Sequence, residues 1–215
     1  MIQLYSESRC PFSHRIRIIL NEKEMDFKII DANNNRQDLM LLNPYNETPI
    51  LVDDIDKNDK KRDLKLTETN IIAEYIDERF PHPQLMPIEP AEKARMRMAM
   101  YNLERELFIP LRYLDTNLTV KDSKVKKEVD KRRKEISNYL DTKIAPIFNN
   151  KKMVYFASET FTLLDASLLP LLWRLAYYEI EVKKTWSEMM RYAEKQFERK
   201  SFKESLTAAE RSMKQ

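Results

Sequence analysis

Cys10 is the only thiol in the 215-residue chain, and its neighbours set it where a thiol could react. Ile2-Gln3-Leu4-Tyr5 alternates apolar and polar side chains, the period of a half-buried strand. Residues 6–13 follow, and Ile16, Ile19 and Leu20 then fall on one helical face. Pro11 suits the first turn of that helix, because the N–H it lacks would have no intrahelical partner. A strand, then Cys10-Pro11-Phe12-Ser13, then a helix is the layout of the redox corner of a thioredoxin-like βαβ unit. At a helix mouth the free N–H groups and the helix dipole favour a thiolate, and Arg9, Arg15 and Arg17 are expected to act in the same direction. The alternative is that Cys10 is a small buried apolar residue without chemistry. The two histidines and the cysteine are separated in sequence and suggest no metal-ligand cluster, so no metal is expected. His14 reads as a residue of the helix surface. There is no phosphate-binding glycine loop, dinucleotide fingerprint or defensible carboxylate pair.

The elements that must position the thiol follow in order. Residues 26–31 alternate as a second strand, Asn33-Asn34-Asn35 marks a turn, and residues 37–43 suit a short helix. Pro49 directly precedes the apolar run Ile50-Leu51-Val52, which places it at a strand start or in a turn. In a thioredoxin-like setting it would be cis, leaving the Thr48 backbone free to pair with an extended ligand. The charged stretch Asp53–Asp63 reads as a long hairpin leading to a strand at 64–66. Thr67-Glu68-Thr69-Asn70 then opens a helix with the apolar stripe Ile71, Ile72, Tyr75 and Ile76. The division expected is a thioredoxin-like domain over 1–80, a proline-rich linker over 81–90 and an all-helical domain over 91–215.

Pro81, Pro83, Pro87 and Pro90 imply an extended linker. Beyond it, helices are expected over 91–114, 121–147, 162–178, 184–198 and 201–210. Thr162-Leu163-Leu164-Asp165 has capping-box logic, with the Thr162 hydroxyl accepting from a free N–H while Asp165 reaches back. Both are structural residues. Residues 124–135 interleave acids with bases and read as a solvated helix face. With a net charge of +3, no direct nucleic-acid contact is expected. Apolar residues make up 42% and charged residues 34% of the chain, which suits a globular protein. No run reaches the ~18 apolar residues of a membrane span, and no secretory leader is expected. A lone cysteine points to a reducing compartment, the cytoplasm.

The chain contains no glycine. At the usual frequency of ~7%, about fifteen would be expected, and their absence by chance is on the order of one in a million. An engineered, glycine-depleted sequence, made to test foldability, is the reading this favours; the alternative, an AT-rich genome with drifted composition, explains abundant Lys and Asn but not zero glycine. Left-handed backbone positions must then be held by Asn, Asp, Lys or Glu, at some cost each.

The thioredoxin-like half, the proline linker and the capping box together resemble the cytosolic glutathione transferase superfamily, so the fold class expected is α/β plus all-α. Three stretches look like the stringent starvation protein A family within it: Glu74 to Pro87, Leu169-Pro170-Leu171-Leu172-Trp173-Arg174-Leu175, and Phe197-Glu198-Arg199 with Ser205 to Arg211. At Glu24 and Ala157 that family usually carries glycine. The resemblance implies two uses of one scaffold. As a glutathione site, Thr48 and Pro49 would hold the cysteinyl part and Glu68 and Thr69 the γ-glutamyl end, with Cys10 as the catalytic thiol of a thiol transferase. Simple helix capping is the alternative for Glu68 and Thr69. As an interaction protein, it would use Pro81, His82 and Pro83 to contact RNA polymerase holoenzyme and its sigma factor, as a cytoplasmic homodimer requiring no cofactor. An ordinary linker is the alternative for that segment.

Overall fold

A computed structural model describes residues 1–55, 63–149 and 154–214. Of the Asp53–Asp63 hairpin, residues 56–62 lie outside the described residues. The chain forms two compact units, residues 1–84 with 200–210, and residues 85–199 with 211–215.

The first unit is built on a four-stranded sheet in the order β2-β1-β3-β4, from β1 (Ile2–Ser6), β2 (Phe27–Asp31), β3 (Ile50–Asp53) and β4 (Leu64–Leu66). β1 runs parallel to β2 and antiparallel to β3, and β3 antiparallel to β4. The parallel pair needs a crossover, which α1 (Pro11–Glu22) supplies. α2 (Arg36–Leu42) and α3 (Thr69–Arg79) complete the thioredoxin-like part. Pro11 through Leu20 of α1 are all buried, including His14, Arg15 and Arg17. One helix face cannot account for that. The second cover is α10 (Lys200–Ser205) with the residues after it, a segment that periodicity groups with the helical half but that packs in this unit.

α1 ends in a Schellman motif, with Met25 N–H donating to Leu20 O at 3.2 Å and Glu24 N–H to Asn21 O at 3.1 Å. The residue that must turn left-handed is Glu24, at φ 52°. Glu179, at φ 55°, closes a second such motif after α8 (Leu163–Trp173) in the other unit. There Ile180 N–H donates to Leu175 O and Glu179 N–H to Ala176 O. Ala157, at φ 58°, sits in the turn closed by Tyr155 N–H to Ser158 O. Asn46 and Glu68 also have positive φ.

The second unit is helical, comprising α4 (Pro90–Leu103), α5 (Ile109–Asn117), α6 (Ser123–Tyr139), α7 (Ala145–Phe148), α8 and α9 (Ser187–Phe197). The stretches expected as single helices over 91–114 and 121–147 each contain a π-helical turn, at Glu104–Phe108 and Leu140–Ile144. The cause is proline. The turns close through Ile109 N–H to Glu104 O and Ala145 N–H to Leu140 O. The next residues, Pro110 and Pro146, have no N–H to continue the ladder, and a widened turn accommodates the gap.

Candidate functional site

Cys10 caps α1. Its Sγ accepts from Ser13 N–H at 3.5 Å and stands 3.8 Å from the Thr48 carbonyl oxygen. The Thr48–Pro49 bond is cis, and both residues are buried at the head of β3. The sheet register brings the second pair to the same edge. Leu51 lies opposite Leu66, so Thr48 and Pro49, just before β3, and Glu68 and Thr69, just after β4, leave the antiparallel pair at the same end. The thiol, the proline ledge and the start of α3 thus gather at one end of the sheet.

Glu68, at φ 66°, immediately precedes α3, and its side chain makes no capping hydrogen bond. Its carboxylate is exposed. Thr69 is buried, and its hydroxyl accepts from Arg15 Nη1 at 3.5 Å. α3 is fixed to the sheet by the Tyr75 hydroxyl, which donates to Asp53 at 2.6 Å. Burial and that carboxylate raise the Tyr75 pKa to about 12. An acid, a hydroxyl and a helix N-terminus at this edge can receive the amino and carboxylate groups of a ligand.

Two sequence expectations about α1 are corrected. Arg17 does not turn its charge toward the thiol. Its guanidinium donates to both oxygens of Glu210, at 2.7 and 2.6 Å, and to Ser6 Oγ and Ser205 O. His14 is not a surface residue. It is fully buried, with Nε2 3.0 Å from Ser205 Oγ and Nδ1 3.7 Å from Glu210. Both side chains are sequestered by the 200–210 segment, which no local pattern in α1 announces.

Pro81, His82 and Pro83 are exposed, but they do not form the extended strip expected of a linker. The Lys23 ammonium donates to Phe80 O at 2.6 Å, to Pro83 O at 2.5 Å and to Asp77 at 2.6 Å. Two carbonyls held by one nitrogen lie within about 5 Å of each other, whereas three extended residues would separate them by ~10 Å. The segment is a closed loop with His82 near its tip, and its His82–Pro83 bond is cis. Lys23 was unreadable as part of this site, because a lysine at a helix end looks like ordinary solvated charge. Asp77 carried a weak signal, as an acid beside the buried residues Ile72, Ala73 and Ile76 of α3.

Thr162 and Asp165 belong to the second unit. Thr162 Oγ1 accepts from Leu164 N–H, and Asp165 accepts from Thr162 N–H, Phe156 N–H and the Tyr192 hydroxyl. Burial pushes the Asp165 carboxyl above its usual pKa, against the pull of these donors. Among the described residues, no group of three His, Cys, Asp or Glu could hold a metal ion, and no helix is long and apolar enough to cross a membrane.

A thioredoxin-like unit with a cis-proline ledge beside a helix-mouth cysteine, followed by a helical unit, defines a protein of the glutathione transferase fold. Residues 1–78 match the glutathione S-transferase N-terminal domain. A glutathione transferase family member from Pseudomonas fluorescens pf-5, solved with two glutathione bound, superposes with a TM-score of 0.79 at 17% identity, covering 95% of this chain and 91% of that one. The stringent starvation protein A homolog of Coxiella burnetii is 36% identical over 100% of this chain and 96% of its own length. That of Pasteurella multocida is 35% identical over 96% and 90%. The chain belongs to the stringent starvation protein A family.

Proposed function

We propose that this chain is an RNA-polymerase-associated transcription regulator of the stringent starvation protein A type, acting in the cytoplasm as a homodimer through protein contact. The observation that carries this reading is full-length kinship with the stringent starvation protein A homologs. The exposed Pro81-His82-Pro83 loop is the contact surface in this reading, and its clamped shape lowers the entropy lost on docking. The row Met98, Tyr101 and Ile109, exposed at helical spacing on α4 and α5, supports self-association. The test is retention of polymerase holoenzyme, with its sigma factor, by the immobilised protein. The triple variant Pro81→Ala/His82→Ala/Pro83→Ala should lose it, and equal retention would remove this surface from consideration.

A second reading has its own observation, the 3.8 Å approach of Cys10 Sγ to the Thr48 carbonyl beside Pro49. In it the chain binds glutathione at Thr48, Pro49, Glu68 and Thr69. The Cys10 thiolate then attacks glutathione disulfide, forming a protein–glutathione disulfide and releasing glutathione thiolate. Millimolar glutathione should raise the thermal midpoint of this form. No shift, together with no Cys10–glutathione adduct after exposure to glutathione disulfide, would exclude it.

A third reading concerns origin. We infer that the glycine-free composition is engineered, because the five left-handed positions among the described residues, two of them in Schellman motifs, are occupied by residues with a Cβ. In that case the chain keeps the fold without polymerase contact or glutathione chemistry. Failure of both binding assays by a protein that unfolds cooperatively is the result this reading expects.

A further inference from the structure

The Lys23 ammonium is enclosed by the loop that carries His82. The Lys23 side chain is 0% exposed and that of Asp77 only 7%. An ammonium has three donors and no acceptor, and each donor here has its own oxygen, from Asp77, Phe80 and Pro83. The two carbonyls bracket Pro81 and His82, so the charge sits inside the loop while the imidazole is presented outside. Asp77 compensates the buried charge and orients it, which frees the other two N–H groups for the loop carbonyls. Neither proline at 81 or 83 has a backbone N–H. The loop therefore has few donors of its own, and an outside donor is what closes it.

We propose that Lys23 is the positioning residue of the Pro81-His82-Pro83 surface, holding it in a single binding-competent shape from beneath without touching the partner. This rests on the polymerase-contact reading for its functional half, while its structural half stands alone. Removing the ammonium leaves the Phe80 and Pro83 carbonyls without their shared donor, and the loop between them opens to many conformations. Each residue freed must then be ordered again on binding.

The chain has two histidines, His14 buried and His82 exposed, so a histidine-labelled sample gives one ring signal set from the core and one from the tip. Two variants are compared with the parent in the full-length protein. Lys23→Met removes the clamp but leaves the Asp77 charge without the Lys23 ammonium as its counter-ion. The double variant Lys23→Met/Asp77→Leu removes both charges, which a buried pair tolerates better than loss of one partner, and still lacks the clamp. In the double variant we expect the His82 signals to shift or split while those of His14 stay in place. Polymerase retention should fall on the order of tenfold, approaching that of the Pro81→Ala/His82→Ala/Pro83→Ala variant. Unchanged His82 signals in both variants would overturn the proposal whatever the polymerase does. Moved His82 signals with full retention would overturn it as well. If the parent itself retains no polymerase, the contact reading fails and the positioning role for a partner falls with it, while the His82 signals still decide whether Lys23 shapes the loop.

Discussion

Restoring glycine at Glu24 tests how this chain tolerates its left-handed positions. Glu24 closes the Schellman motif of α1 at φ 52°, where an L-residue bears a Cβ penalty of ~1–2 kcal/mol. Glycine relieves that penalty but loses extra backbone freedom on folding, which costs ~0.5–1 kcal/mol. The balance favours Glu24→Gly by about 1 kcal/mol, because the exposed Glu24 side chain has no ion-pair partner among the described residues to lose. For a chain of this size that corresponds to a thermal midpoint raised by roughly 2–4 °C. Glu179 provides the internal comparison, since it closes the same motif at φ 55° but its carboxylate meets Arg133 Nη2 at 2.6 Å. That pair, between a mostly exposed Glu179 and a part-buried Arg133, offsets ~0.2–1 kcal/mol of the gain, so Glu179→Gly should stabilise clearly less. Thermal unfolding and urea titration of the two variants, with an unchanged m-value, measure both effects. A Glu24→Gly variant no more stable than the parent, or a Glu179→Gly variant that gains as much, would refute the reasoning.

Asp165→Ala should cost about 4 kcal/mol, since it strands the Phe156 and Thr162 N–H groups and the Tyr192 hydroxyl in the core at ~1–3 kcal/mol each. Thr162→Ala removes one cap and should cost only ~0.5–2 kcal/mol; equal losses in urea unfolding would contradict this ranking. The Asp141 carboxyl is held below its usual pKa of 3.8 by hydrogen bonds from Lys183, then Thr185 and Trp186. Its stabilisation is therefore complete above the unfolded carboxylate pKa and disappears as pH falls through the depressed folded value. Asp141→Asn should lower the thermal midpoint at pH 7, and the gap to the parent should narrow as pH falls below 4. A gap that widened on acidification would reverse the sign of this argument.

Local chemistry carried much of the fold. Alternation in Ile2–Tyr5, the first-turn position of Pro11 and the cap at Thr162 and Asp165 each follow from the residues within a few positions, and the structure places each as that chemistry requires. The absence of glycine implied that left-handed backbone would fall to residues such as Glu24, whereas Ala157, outside the Asn, Asp, Lys and Glu expected there, was marked only by the glycine the family usually carries at that position. Composition and short-range pattern can specify such features, because strand alternation, helix capping and turn conformation are properties of neighbouring residues.

What the sequence could not settle depends on residues far apart in the chain. Arg17 reads as a charge acting on the thiol and His14 as a residue of the helix surface, until Ser205 and Glu210 arrive from nearly two hundred residues away and bury them. Lys23 reads as solvated charge, until Asp77, Phe80 and Pro83 close around its ammonium. The π-helical turns before Pro110 and Pro146 depend on helices that continue through a missing donor rather than stopping there. A buried charge or an interrupted ladder is stable only when acceptors and packing from elsewhere compensate it, and only the tertiary structure supplies those.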